Sequence, residues 1–322
     1  MGCYNSIMNS IFLRRLQDIF GKDFAKVEES FSLERLPVVR INTLVVTEAD
    51  GLARLAELGF EPKQVLLDKN AYVLQARTKR DLTDSEEYQN GWYYIQSLSS
   101  MVPVWSIEDE VRTKIANEEE VMVFDMCAAP GSKTTQLSAV MEGRGQIIAY
   151  DLSRQRMYSL RANLEQQQAD NVQVVLGNAE PAWRKYGPVF DYVLLDAPCS
   201  GEGRFSVLDD SGEDWNMRKI ERLSSEQKRL IFSAVMCLKP GGALIYSTCT
   251  FAPEENEAVV QFALEKFEGA VEAEEMKISD NAFLPGLTSW KGTQFGESVT
   301  KSIRIRPDRQ WEGFFVSMLR RK

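Results

Sequence analysis

At 322 residues the chain exceeds one average domain, so two domains and a sizeable core are expected. A net charge of −9 argues against wholesale, non-specific grip on nucleic acid. Five cysteines (Cys3, Cys127, Cys199, Cys237, Cys249) with no CxxC pair, and no histidine anywhere, argue against a disulfide framework and a zinc site and exclude a Cys–His or Ser–His catalytic pair within the chain.

Nothing near the N-terminus reads as a signal peptide and no window approaches about 18 uninterrupted apolar residues, so a soluble, cytoplasmic protein without membrane contact is expected. Charge is unevenly spread. Acids crowd residues 108–120 and 271–275, whereas 301–322 is strongly basic, so an acidic average can coexist with a local basic face.

In chain order, residues 9–20 show helical apolar spacing at Ile11, Phe12, Leu16, Ile19 and Phe20, with Gly21 as a stop. Residues 36–46, LPVVRINTLVV, read as a strand in which Arg40 and Asn42 form a solvated face. A short helix over 50–58 ends at Gly59, and 66–76 and 92–95 look like strands. A boundary near residue 90 separates a smaller α+β unit (1–90) from a larger α/β unit (91–322). A helix over 99–106 and the polar run 108–120 lead into VMVFDMCAAPGSKTT (121–135). There an apolar run ends in Asp125, a turn of small residues with Pro130 and Gly131 follows, and a helix starts at Thr134. Strand, tight turn and helix leave backbone N–H groups free to hold an anionic or polar ligand. The turn has neither the GxxxxGK[ST] order of a phosphate loop nor the GxGxxG order of a dinucleotide fold, and close packing alone could also explain its small residues.

Beyond it come a strand over 146–150 ending in Asp151, a helix over 153–168, strands over 172–176 and 191–196, a helix over 215–238, a strand over 243–247 and a helix over 253–267. A β-rich tail with 303–306 and 314–319 closes the chain. This βαβα order means a parallel sheet with helices on both faces and ligands at the carboxyl ends of the strands. Asp125, Asp151, Asn178 and Asp196 each end or closely follow an apolar run, and so line one sheet edge. Any one of them could be a helix cap; four at successive strand ends point to a shared site. Asp151 lies 20 residues after Gly131, where a carboxylate can bond both hydroxyls of a ribose, so a cofactor containing a nucleoside is expected.

LLDAPCSGEG (194–203) and LIYSTCTFAPEEN (244–256) put Cys199 and Cys249 just past two strand ends. If those strands are neighbours, about 4.8 Å apart, both sulfurs face one cleft. Three roles stay open on the residues alone: buried structural thiols, as Cys3 and Cys237 are read; a redox pair, which a reducing cytosol disfavours; and nucleophilic attack by a thiolate on an electron-poor carbon.

DMCAAPGSKTT (125–135), DAPCSG (196–201) and STCTFAPEEN (247–256) resemble the S-adenosylmethionine, first-cysteine and second-cysteine motifs of the NOL1/NOP2/Sun family of RNA cytosine-5 methyltransferases, in its RsmB/RsmF-like class. RINTL (40–44), IQSLSSM (95–101) and RIRPDRQWEGFFVSML (304–319) extend the resemblance over nearly the whole chain. It implies a Rossmann-like S-adenosylmethionine-dependent methyltransferase fold, with 91–322 as the catalytic domain and 1–90 as an accessory, RNA-binding domain. The implied reaction moves a methyl group to carbon 5 of a cytosine in rRNA or tRNA.

By the same resemblance Cys249 is the nucleophile at carbon 6 and Cys199 assists product release by acting on the proton at carbon 5. Asp196 sits near the base and supports protonation at N3, and Lys133 neutralises charge nearby. On the residues alone Lys133 also reads as a solvated helix-start lysine. The cofactor is expected against Cys127, Ala128, Ala129, Pro130, Gly131, Ser132 and Lys133, its ribose on Asp151, its adenine near Asn178 and its methionine end near Asp196. Ser132 stands where the family usually has a second glycine, and Asn178 where an acid is common. Larger bacterial relatives carry an extra C-terminal RNA-binding domain, for which this chain ends too soon. A monomer without metal is expected. Two other classes fit less well. A DNA cytosine-5 methyltransferase attacks with its proline–cysteine thiol and needs no TC cysteine, and a non-catalytic RNA-binding relative would lose one or both cysteines.

Overall fold

The computed structural model describes residues 10–65, 67, 70–208, 212 and 215–322. Cys3, residue 9 and residue 66 lie outside them. The chain begins with α1 (Ser10–Phe20), which buries Phe12, Leu16 and Phe20 at helical spacing, and α2 (Phe24–Ser30). A small antiparallel sheet follows, in the order β2-β3-β1-β4, from β1 (Val38–Ile41), β2 (Lys63–Gln64), β3 (Ala71–Val73) and β4 (Tyr93–Ile95). The small sheet thus takes its last strand from beyond residue 90. It is accompanied by α3 (Glu48–Glu57), α4 (Lys79–Thr83) and α5 (Glu86–Gln89).

Strand β1 is shorter than the apolar run predicts, because Asn42 ends it. The Asn42 Oδ1 accepts from Leu44 N at 3.2 Å and its carbonyl from Val45 N at 3.1 Å, a side-chain-supported turn that competes with the ladder. The predicted solvated face is also overturned: Arg40 and Asn42 are 3% and 1% exposed. Asn42 Nδ2 donates to the carbonyls of Gly91 and Gln167, and an Arg40 Nη donates to Thr135 Oγ1, so both residues join the small sheet to the larger unit.

The larger unit continues with α6 (Leu98–Trp105), α7 (Glu108–Ala116), β5 (Met122–Asp125), α8 (Ser132–Val140), β6 (Gln146–Asp151), α9 (Arg154–Gln166), β7 (Val172–Leu176), α10 (Ala182–Tyr186), β8 (Phe190–Asp196), α11 (Met217–Cys237), β9 (Leu238–Thr248) and α12 (Glu257–Lys266). The polar run 108–120 is a helix for most of its length. Val111 and Ile115 are buried one turn apart, and Glu108, Asp109 and Glu110 occupy its first turn, where the helix dipole favours acids. The chain closes with β10 (Val271–Glu274), β11 (Phe283–Pro285), the separate pair β12 (Ser289–Trp290) and β13 (Thr293–Gln294), then β14 (Ile303–Ile305) and β15 (Phe314–Arg321).

Strands β9-β8-β5-β6-β7 pair in parallel, the expected Rossmann-like core. The tail adds an antiparallel margin: β15 lies against β9, with β14 and β10 end to end along its outer edge and β11 outside β14. Alternate strand residues face opposite cores, as Val123 and Phe124 do. Helices α6 to α8 cover one face, continued by α9, and α10 to α12 cover the other. A third core packs α1 and α2 behind the cysteine loops, through Phe12, Leu16 and Phe31 against Phe205, Trp215 and Phe251.

The basic tail does not form a free basic face. Arg304 pairs with buried Glu257, Arg306 with Asp23, Arg320 with Glu110 and Glu274, and Lys322 with Glu272. Acidic and basic stretches far apart in sequence neutralise each other once β10, α7 and β15 come together. No helix among the described residues is long and apolar enough to cross a membrane.

Candidate active site

The carboxyl ends of the parallel strands open into a cavity of about 1030 Å³. Asp125, Asp151, Asn178 and Asp196 all line it, together with Cys127, Ala128, Ala129, Pro130, Ser132, Lys133, Cys199 and Cys249. Of the predicted residues only Gly131 stands back from the wall. Its φ of +109° makes it the left-handed N-cap that starts α8 at Ser132, two residues earlier than predicted, and a Cβ there would meet Leu160 Cδ1 at 3.0 Å.

The turn after β5 is tied from both sides. Thr134 Oγ1 donates to Asp125 at 2.7 Å, and burial pushes the Asp125 carboxyl up to about 6 against that bond. Ala129 N donates to one oxygen of Asp151 at 3.2 Å and Ser153 N to the other at 2.9 Å. Arg156 reaches over the turn to pair with Asp151 at 3.3 Å and to donate to the Ala129 carbonyl. Burial, then the surrounding carboxylates, push the Cys127 thiol well up, which keeps it an inert wall group. Leu152, beside Asp151, lines the cavity with 69% of its surface exposed, an apolar face of the kind that receives a flat ring.

Lys133 is not a solvated helix-start lysine. It is 7% exposed, and its Nζ donates to Asp196 at 2.7 Å and to Ser100 Oγ at 3.0 Å, with the Phe314 ring 5.3 Å away. Asp196 is held on its other oxygen by Ser247 Oγ at 2.8 Å. Ser247 is the Cα partner of Asp196 across β8 and β9, so the same register that aligns these two brings the following loops together.

Those loops carry the cysteines. Their sulfurs lie 3.2 Å apart, and Cys249 N donates to Cys199 Sγ at 3.3 Å. The Cys249 contact first, and burial second, push the Cys199 thiol well above its ordinary value. Close approach of main chains fixes the loops further: Gly203 N donates to the Cys249 carbonyl at 2.9 Å, the Gly203 carbonyl accepts from Gly313 N at 3.0 Å, and a Cβ on Gly203 would sit 1.9 Å from the Gly313 oxygen. Cys237 is buried in a core, as a structural thiol should be.

Several residues at this site had no distinct signal in the sequence. Ser100, Ser247, Gln227 and Glu202 are ordinary polar residues in their local context. The one signal available was position within a motif stretch: Ser247 and Glu255 lie in STCTFAPEEN, Glu202 in LLDAPCSGEG and Ser100 in IQSLSSM, whereas Gln227 lies in none.

Comparison with known proteins matches residues 112–320 to the 16S rRNA methyltransferase RsmB/F family. The ribosomal RNA small subunit methyltransferase F of Aeromonas hydrophila is 35% identical over 270 residues, covering 83% of this chain and 56% of that protein. The chain therefore spans little more than half the length of that curated relative. The tRNA (cytosine(49)-C(5))-methyltransferase of Pyrococcus abyssi is 34% identical over 286 residues, 88% of each chain. A methyltransferase homolog protein from Pyrococcus horikoshii superposes with a TM-score of 0.83 at 31% identity, over 98% of this chain and 96% of that one.

Proposed function

The chain belongs to the RsmB/F family of 16S rRNA methyltransferases, and from that premise we propose that it methylates carbon 5 of a cytosine in rRNA or tRNA, with S-adenosylmethionine as methyl donor and Cys249 as nucleophile. Two sulfurs 3.2 Å apart, in the cavity that also holds the strand-end carboxylates, carry this reading. The Aeromonas relative, a ribosomal RNA methyltransferase, supports RNA as the substrate, and the Pyrococcus relative, a tRNA cytosine-5 methyltransferase, supports a cytosine within it.

The lining residues fit S-adenosylmethionine. Asp151 and Asn178 offer polar groups for a ribose and an adenine edge, Leu152 offers an apolar face, and Asp196 offers charge opposite a cation. When bound, the cofactor supplies an electrophilic methyl group on a sulfonium.

Carbon 5 of cytosine is a poor nucleophile until a group adds to carbon 6. In the proposed sequence the Cys249 thiolate forms a bond from Sγ to carbon 6, and the carbon 5–carbon 6 π pair becomes available at carbon 5. Asp196, bonded to Lys133 and Ser247, offers an acceptor to an N3–H: N3 takes a proton from solvent as Sγ adds, which disperses charge in the adduct, and returns it to solvent after elimination. After methylation Cys199 acts on the proton at carbon 5, which passes to solvent. Its bonding pair restores the carbon 5–carbon 6 double bond, and the Sγ–carbon 6 pair departs with Cys249.

The roles separate in one assay. Cys199→Ala is expected to accumulate a protein–RNA conjugate that migrates slowly on a denaturing gel, is destroyed by ribonuclease and is absent from the Cys199/Cys249 double variant. A conjugate that persists in Cys249→Ala and vanishes in Cys199→Ala inverts the roles, as in a DNA-type mechanism; no conjugate in any variant removes the catalytic reading of both.

A further inference from the structure

Two buried carboxylates flank the cysteine pair and make no step of the chemistry above. Glu255 is fully buried, and its Oε2 accepts from Ser200 N at 3.0 Å and from Gln227 Nε2 at 2.9 Å. Gln227 Nε2 also donates to the Pro198 carbonyl at 2.8 Å. Cys199 lies between Pro198 and Ser200, so one acid–amide pair grips the main chain on both sides of it. Glu202 serves the other loop. Its Oε2 accepts from Thr250 Oγ1 at 2.9 Å and Phe251 N at 3.0 Å, the residues that follow Cys249, while Oε1 accepts from Trp215 Nε1 at 2.7 Å. The two systems touch where Ser200 Oγ and Thr250 Oγ1 share a hydrogen bond of 2.6 Å.

The acids differ in how well they are satisfied. Both oxygens of Glu202 have donors, whereas Glu255 Oε1 and Gln227 Oε1 are buried without a partner. A buried polar atom without a partner is costly, so two on a side-chain pair already joined demand an explanation. A proton on Glu255 supplies one: the carboxylic acid becomes a donor among atoms that otherwise only accept. Burial pushes the Glu255 carboxyl up to about 7, in the same direction.

We propose that Glu255, as a neutral acid joined to Gln227, is the positioning residue of the release cysteine Cys199, while Glu202 positions the nucleophile Cys249. Each task of the cysteine pair is then governed by its own buried carboxyl group. The inference rests on the assignment of release to Cys199 and attack to Cys249.

The test uses the full chain, S-adenosylmethionine, and in vitro transcripts of 16S rRNA and tRNA, with the conjugate read on denaturing gels and folding read by thermal melting. Cys199→Ala and the Cys199/Cys249 double variant come first: absence of a conjugate in Cys199→Ala defeats the underlying assignment, whatever Glu255 does. With that conjugate in hand, Glu255→Ala is expected to trap RNA as well, with release slowed about 100-fold, the cost of displacing a reacting group by roughly 1 Å. E255Q keeps an acceptor for Ser200 N and Gln227 Nε2 and turns an N–H toward Gln227 Oε1, so it is expected to release RNA at least about tenfold faster than E255A. Glu202→Ala is expected to slow conjugate formation without trapping. Should E255A fail to fold, Gln227→Ala, which frees the Pro198 carbonyl, is expected to trap RNA in its place. Loss of attack and release together in a folded Glu255 or Gln227 variant, or trapping by E255Q equal to that of E255A, overturns the proposal, as does trapping by E202A.

Discussion

On the side of the cavity proposed for the cofactor, the turn from Asp125 to Lys133 is held by partners close in sequence. Thr134 reaches Asp125 across 9 residues, Ala129 reaches Asp151 across 22, and Arg156 reaches Ala129 across 27. On the cysteine side the corresponding bonds span 48 residues for Thr250 and Glu202, 50 for the two sulfurs and 55 for Ser200 and Glu255. Lys133 crosses between the halves through its bond to Asp196, 63 residues away. The first half is thus a local βα unit that any such turn could build, whereas the second exists only once β8 and β9 have paired and the loops beyond them are clamped. Stability and binding should respond to changes in the first half, chemistry to changes in the second.

The sharpest break of this contrast is Cys249→Ala. Methyl transfer to RNA is expected to fall by more than about 10⁴-fold, as for loss of a nucleophile, because the proposed role of the thiol is attack on the base. Affinity for S-adenosylmethionine, measured by calorimetry, should stay within about threefold, less than 1 kcal/mol. Residual methylation in the variant would remove Cys249 from the reaction.

Lys133→Met attacks the link between the halves and should disturb both. It leaves Asp196 Oδ2 without its cation in a wall that is only partly solvated, at an expected cost of about 2 kcal/mol in stability and about 100-fold in turnover. Denaturant melts and single-turnover methylation read the two effects; a loss of stability with normal turnover would reduce Lys133 to a structural ion pair.

Asp151→Ala acts within the first half. It removes the polar group proposed for the ribose and frees the Ala129 and Ser153 amides, so S-adenosylmethionine binding is expected to weaken by about 1.5–3 kcal/mol. Conjugate chemistry at saturating cofactor should be little altered. An unchanged dissociation constant would make Asp151 a turn brace and nothing more.

The smallest expected effect is on the pH dependence of stability. The fold raises the Glu255 carboxyl from 4.5 to about 7, so the folded state holds a proton that the unfolded chain releases. The associated stability is fully present below 4.5 and is lost as pH rises through about 7. E255Q cannot ionise and should flatten that part of the decline in Tm; Glu202 and Asp125, raised in the same direction by burial, should keep the rest. A decline of unchanged size in E255Q would mean that Glu255 ionises freely in the folded protein.

The sequence by itself determined the parallel core, the strand-end carboxylates and the two cysteines, because apolar periodicity and short motifs are local and the parallel strands β5 to β8 end where their apolar runs stop. It also carried the family resemblance, which spread over three dense motifs. What it could not show is whether a charged residue would meet its partner. Arg40 and Asn42 looked solvated but are buried between the small sheet and α8 and α9, and the basic tail looked free but lies against acids of β10 and α7. Nor did it separate Glu255 from its neighbour Glu254, which Arg15 of α1 holds at 2.6 Å. Burial and pairing are properties of surfaces brought together from distant parts of the chain; the desolvation that raises Glu255, and the Cys249 contact that with burial raises Cys199, exist only after tertiary packing.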